Sequence, residues 1–369
     1  MSADSGVGRR AWLGLAPVGL SLLALGVALL ISAIAILLLG SSPILAARAL
    51  AEGSFGSLAA LGETSLKATA LTFTGLAVAL PLAAGFFNIG GQGQFLCGAI
   101  AAAWVGALAL PPALELPATL VVAALAGGLY GVIPAALKVY RGVHEVISTI
   151  LLNWVAIHLI NDWLVVGPLA DDHGGSHFSG SGTAPIDAAA HLPLLLGESS
   201  RLNLGWPLAL VCAALAFGFL RRSSKGLEIR AIGSSVESAR AIGIPVAGRA
   251  LLAFGLAGAL AGLGGACMIL GGGTDFRYPE NYRDSYGFDG IAVALLGAGN
   301  PFGICLSALF FGALRAGAVR LQDPEIGLHR VWPEIAQALA VLAVASKPAL
   351  ERLWRWPLRL TRSRDPERP

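Results

Sequence analysis

The sequence predicts an all-α polytopic membrane protein of about ten transmembrane segments, eight clear and two short, with both termini inside. Three observations carry this. Charged residues are 13% of the 369 and hydrophobic ones 56%, where a soluble domain carries about 25% charged residues. Mean hydropathy is +0.73. The Lys and Arg residues also fall unevenly between alternate loops. This composition excludes a soluble enzyme, a nucleic-acid-binding protein and a disordered chain as descriptions of the whole. The 48 glycines suit helices packed closely in lipid, where small residues let backbones approach.

Crossing about 30 Å of hydrocarbon takes about 20 apolar residues as a helix. Stretches without Asp, Glu, Lys or Arg run over 11–47, 68–114, 116–137, 146–161, 202–220, 250–274, 290–314 and 335–346. The first predicts one span at 13–39. Arg9-Arg10 precedes it and reads as the flank of an uncleaved helix. The second is long enough for two, at 68–86 and 94–111, divided by Phe87-Asn-Ile-Gly-Gly-Gln-Gly-Gln94. Spans at 118–137, 146–167, 204–220 and 250–272 follow. Asn300-Pro301 interrupts the next stretch, since proline restricts the residue before it and breaks a helix. That leaves a short segment at 288–299 and a fuller one at 302–319. A second short segment lies at 333–346.

Loop charge sets orientation. With the N-terminus inside, the segments 1–12, 138–145, 221–249 and 347–369 hold 17 Lys/Arg against 7 Asp/Glu, and the outside loops hold 7 against 12. The organisation expected is a cytoplasmic N-tail (1–12), a transmembrane domain (13–346) with an extracytoplasmic loop at 168–203 and a cytoplasmic loop at 221–249, and a basic C-tail (347–369). The histidines of the large outer loop, His173, His177 and His191, are irregularly spaced and read as solvated rather than metal-binding. Cys97, Cys212, Cys267 and Cys305 sit apart in apolar surroundings, without a CxxC pair, and read as small buried hydrophobes.

Four segments stand out. In Gly85–Phe95, the glycines at 90, 91 and 93 break a helix between two apolar runs, beside Asn88, Gln92 and Gln94. Irregular backbone at membrane depth persists where protein or a water-filled cavity satisfies it. The segment therefore reads either as the wall of a polar path or as a turn at the membrane surface. In Glu145–Trp154, Glu145, Ser148 or Thr149, and Asn153 share one helical face. That stripe reads as a path wall or as inter-helix hydrogen bonding. In 223–245, Ser234 or Ser235 can cap a short helix that Gly243 and Pro245 stop. A capped helix on the inner side suits docking onto a cytosolic partner. In Tyr286–Gly317, Asp289 opens a short apolar helix, as a cap or as a path residue. Arg315 pairs, snorkels or lines a cavity, because an unpaired charge at a helix centre costs about 2.5–3.5 kcal/mol. No GxxxxGK[ST], HExxH, GxSxG or GxGxxG motif is present.

Taken together, Phe87–Phe95, Glu145–Trp154, Gly226–Ile244 and Tyr286–Gly317 resemble the permease subunits of ABC importers for nucleosides and simple sugars, a group related to the ribose and branched-chain amino acid permeases. The resemblance runs in order over 68–346. It implies a transport subunit rather than an enzyme, in a bacterial inner membrane, translocating a nucleoside or simple sugar by alternating access. It implies four partners: a second homologous permease, a cytosolic ABC ATPase, an extracytoplasmic solute-binding lipoprotein and the lipid bilayer. ATP belongs to the ATPase, no cofactor is expected on this chain, and no nucleic acid is involved. The resemblance, with the polar segments above, places Phe87, Asn88, Gln92, Gln94, Ser148, Asn153, Phe288 and Asp289 along the path. It places Gly226, Glu228, Arg230, Glu237, Ala239, Arg240, Gly243 and Ile244 at the ATPase contact. Gln92 departs from the family, which usually has Glu there. The rival expectations are a stand-alone ion-coupled transporter, which would want an acid pair or Na⁺ cage at mid-membrane, and an intramembrane enzyme, for which the spans offer no nucleophile or metal set.

Overall fold

The computed structural model describes residues 29–38, 40–171, 182–197, 199–282 and 284–323, with a few isolated positions besides. The chain divides into two bodies, Ala49–Arg320 and a second formed by 1–48 with 321–369. In the second, the described residues include the helix α1 (Leu29–Leu38), whose Leu30, Leu37 and Leu38 are exposed. The remainder of the 13–39 span, the 333–346 segment and both tails lie outside the described residues.

After α2 (Pro43–Phe55), the main body begins its core with α3 (Leu58–Ala83). Ser57 caps α3, its hydroxyl accepting from the Ala60 amide at 3.1 Å. Charge-free sequence placed this helix at 68–86, but it starts ten residues earlier. Glu63 and Lys67 pair across one turn at 3.2 Å, so neither charge ends the helix. Thr69, Thr72 and Thr74 each donate to the carbonyl four residues back, so these hydroxyls are satisfied in a buried helix.

The helix α4 (Gly91–Gly106) is buried almost throughout. It stops short of the expected 111, because Ala109 takes a positive φ of 47° and prolines follow at 111 and 112. The helix α5 (Pro112–Arg141) is two-faced. Val121, Leu125, Leu129 and Ile133 form an exposed stripe at i, i+4 spacing, and Thr119, Ala123, Gly127 and Gly131 form a buried one. Gly142, at φ +70°, ends it. The helix α6 (Glu145–His158) continues into a π-helical turn, Leu159–Leu164, which carries Asp162 beside His158 at 2.7 Å. The helix α7 (Gly205–Arg222) leads to the short helices α8 (Ser224–Ser234) and α9 (Val236–Ala241). Then come α10 (Val246–Leu270), α11 (Tyr286–Leu296) and α12 (Pro301–Gly317).

Helix α10 lies against α3, α4 and α5 at the centre of the body. The crossing with α5 is a glycine contact. A Cβ at Gly258 would collide with the Gly127 backbone, with the Gly128 Cα at 3.1 Å. Among the described residues, six helices are long and apolar enough to cross a membrane: Leu58–Ala83, Pro112–Arg141, Glu145–Leu164, Gly205–Arg222, Val246–Leu270 and Pro301–Gln322. The fold is a polytopic helical membrane protein. The expected 288–299 segment is α11, whose 11 residues extend roughly 16 Å, about half the hydrocarbon thickness.

Candidate translocation path and coupling surface

Three elements meet inside the main body: the break between α3 and α4, the middle of α6, and the first turn of the half-length helix α11. At the break, Asn88 donates to the Gln94 Oε1 at 3.1 Å and to the Ala77 carbonyl at 3.3 Å, and accepts the Gly90 amide at 3.0 Å. Asn153 reaches over from α6. Its Oδ1 accepts the Gly93 amide, and its Nδ2 donates to the Ile89 carbonyl, both at 2.8 Å. These bonds satisfy the irregular backbone that three glycines create.

Gln92 joins the break to α11. Its Nε2 donates to the Asp284 carbonyl at 2.8 Å, and its Oε1 accepts the Gly287 amide at 2.9 Å. The two backbones nearly touch there. A Cβ on Gly287 would overlap the Gln92 backbone, and one on Gly91 would lie 3.1 Å from the Gly287 oxygen. The amide at position 92 supplies a donor and an acceptor together, which a carboxylate cannot do.

Asn88, Gln92, Gln94 and Asn153 are therefore brought together and buried, with their amides occupied by the chain itself, whereas Ser148 is buried on α6 without a bond to them. Ser148 and Thr149 donate to the Glu145 carbonyl, at 3.1 and 2.7 Å. The outward-facing members of the expected set are different ones. Phe87 is half-buried, and Phe288 is 37% exposed, beside exposed Asp284. Asp289 forms an ion pair with Arg315 of α12. Arg315 also donates to the Ser285 hydroxyl at 3.2 Å and lies over the Tyr286 ring at 4.8 Å. Of the three fates open to this arginine, pairing is the one observed.

The segment between α10 and α11 reads in sequence as an outer loop, yet it runs into the body. Tyr278, Tyr282 and Tyr286 are buried at four-residue spacing. Tyr282 stacks on Phe95 at 6.4 Å between ring centroids, and Tyr286 tilts against it at 5.8 Å. The Tyr278 hydroxyl donates to the Asn161 Oδ1 at 2.9 Å. The repeated tyrosines were the available signal, hidden by the charges between them.

The 221–249 segment folds as two capped helices. Ser223 accepts the Gly226 amide at 2.9 Å, and Ser235 accepts the Ser238 amide at 3.1 Å. Gly243, at φ +82°, ends the second. The eight expected contact residues divide by direction. Gly226 and Ala239 are buried, Ile244 is half-buried, and Glu228 pairs with Arg249. Arg230, Glu237 and Arg240 face outward beside exposed Leu227 and Ile242. The inner faces, through Ile229, Ile232 and Ala239, join a core cluster with Leu80, Ala84, Phe86 and Phe254.

The family model for the branched-chain amino acid transport system permease component matches residues 60–342. The chain belongs to this family. The permease is 38% identical over 307 residues to the guanosine ABC transporter permease protein NupP of Bacillus subtilis, covering 82% of this chain and 85% of that one. It is 32% identical over 352 residues to the glucose ABC transporter permease protein TsgB13 of Haloferax volcanii, covering 93% and 90%. It is 32% identical over 339 residues to the nucleoside ABC transporter permease protein NupB of Lactococcus lactis, covering 88% of each. No solved structure matches. The permease is thus the transmembrane subunit of an ABC importer, a transport component rather than an enzyme.

Proposed function

We propose that this permease imports a nucleoside, by alternating access driven by ATP hydrolysis on a separate cytosolic ATPase. The observation that carries the substrate class is the 38% identity to a guanosine permease over more than four-fifths of both chains. A simple sugar is the second reading, supported by the near full-length match to a glucose permease. In this proposal a second, homologous permease completes the pore, and an extracytoplasmic lipoprotein delivers the solute. The chain has ten segments, N-in and C-in, in a bacterial inner membrane. Solute passes the meeting point of α4, α6 and α11, along Phe87, Phe288 and Asp289. Asn88, Gln92, Gln94, Ser148 and Asn153 form the structural wall behind them. Arg230, Glu237 and Arg240 meet the ATPase, while Gly226, Glu228, Ala239, Gly243 and Ile244 shape the helices that present them. Weak contacts suffice in such a path, because a tightly held solute would not leave.

The test is uptake of radiolabelled guanosine, ribose and glucose by cells lacking the permease gene, with and without the gene restored. Guanosine uptake that depends on the permease and is competed by other nucleosides, but not by ribose or glucose, is the expected result. Permease-dependent uptake confined to a free sugar overturns the nucleoside assignment. Uptake by the single purified chain in liposomes without an ATPase overturns the mechanism.

A further inference from the structure

Arg315 and Asp289 are the charged residues of two largely apolar helices, and each is only about one-sixth exposed. Their contacts concentrate on one short stretch. The guanidinium binds Asp289 and Ser285 and covers Tyr286, and Ser285 donates to the Asp289 Oδ2 at 3.3 Å. On its other side the same turn is held by neutral bonds from Gln92. The first turn of the half-length helix α11 therefore sits between two clamps, one uncharged on α4 and one charged on α12.

The charged clamp is not what stability alone would select. A buried ion pair contributes little net stability over an apolar pair of similar size, because desolvation offsets the attraction. Here the network is also short of one bond, since the buried Arg315 Nε has no partner. A paired charge at membrane depth marks function. Lys67 supports the arrangement from α3, its Nζ donating to the Arg315 carbonyl at 3.4 Å.

We infer that Arg315 is a positioning residue for transport: through Asp289, Ser285 and Tyr286 it locks the first turn of α11 onto α12, and this lock changes state as solute passes. The inference rests on the importer reading above. It does not depend on which solute is carried.

The experiment uses the complete transporter in membrane vesicles, with three readouts: amount of assembled complex, ATPase rate, and uptake of whichever solute the wild type carries. Wild-type uptake tests the proposed function separately. The variants are Arg315→Met, Asp289→Asn, the double variant of both, and the conservative Arg315→Lys. Each single neutralisation leaves one charge unpaired and is expected to lower both assembly and uptake. The double variant removes that penalty. It is expected to assemble within twofold of wild type and hydrolyse ATP, yet to transport at least tenfold less solute per ATP. Arg315→Lys, which keeps the charge, is expected to retain a third or more of wild-type uptake. A double variant that recovers uptake along with assembly makes the pair merely structural and overturns the inference. So does any single neutralisation that transports within twofold of wild type.

Discussion

Asn153 is the side chain whose removal has the most calculable consequence. It satisfies two backbone groups of the broken segment, the Gly93 amide and the Ile89 carbonyl, each at 2.8 Å, and is itself fully buried. Asn153→Ala leaves both groups without a partner. A buried polar group left unsatisfied costs about 1–3 kcal/mol, so the pair costs about 2–6 kcal/mol. At about 2 °C per kcal/mol for a large domain, the midpoint of thermal unfolding in detergent is expected to fall by roughly 4–12 °C. Asn153→Asp separates the two bonds. It keeps an acceptor for Gly93, loses the donor to Ile89 and adds a buried charge, so it is expected to be no milder than alanine. The assay is thermal unfolding of the purified permease followed by gel filtration, with solute uptake measured in parallel. Wild-type uptake in both variants, with a midpoint shift below about 1 °C, would refute the account of the break as a structure held by Asn153.

Other substitutions probe the remaining contacts. Gly287→Ala drives a methyl group into the Gln92 backbone and is expected to abolish uptake, whereas Gly248→Ala, with open space around it, is expected to leave uptake unchanged; vesicle uptake normalised to permease amount distinguishes them. Gln92→Glu removes the donor to the Asp284 carbonyl and places a carboxylate beside exposed Asp284, so uptake is expected to fall severalfold, with a lower unfolding midpoint. Arg230→Glu with Arg240→Glu reverses two outward charges and is expected to eliminate co-purification of the ATPase without changing the permease's own unfolding midpoint. Gly233→Val crowds the Ala83 carbonyl and is expected to retain most ATP hydrolysis in the assembled complex while uptake falls at least tenfold.

What the sequence made legible follows from how each signal is encoded. Apolar runs are a local property, so each expected segment within the described residues has a helix. Charges misled where they were neutralised by a partner that a count of charge-free stretches does not register. Lys67 seemed to bound α3, yet it pairs with Glu63 inside the helix. The stripe Glu145, Ser148, Thr149 and Asn153 follows from helical periodicity and is buried as one face. Its role was not legible, because the groups that Asn153 binds lie sixty residues away in the chain. The descent of Tyr278 and Tyr282 into the body was hidden for the same reason. Their partners Phe95 and Asn161 belong to other helices, and the intervening Glu280 and Asp284 made the segment resemble a solvated loop.

The geometry also links the two expected sites, which sequence left as separate lists. Helix α8 meets the last turn of α3 backbone to backbone: a Cβ at Gly233 would strike the Ala83 carbonyl, with its carbon at 3.1 Å. Ile229 and Ile232 beside it pack into the cluster that holds Leu80, Ala84 and Phe86. Phe86 is gripped further, by Phe254 of α10 at 6.2 Å between rings and by Lys138 of α5 at 5.3 Å, itself paired with Glu145 at the start of α6. Phe87 and Asn88 follow at once. A displacement of α8 therefore has little soft material to compress before it reaches the broken segment, since tightly packed interiors transmit strain rather than absorb it. Beyond the break, Gln92 ties the same backbone to α11, and Arg315 ties α11 to α12. In the proposed mechanism, a push delivered at α8 and α9 would act on the turn that carries exposed Phe288 and ion-paired Asp289, through contacts that each have a named partner. The sequence carries no GxxxxGK[ST] motif to cradle ATP phosphates, so in the proposed mechanism that push originates in another subunit.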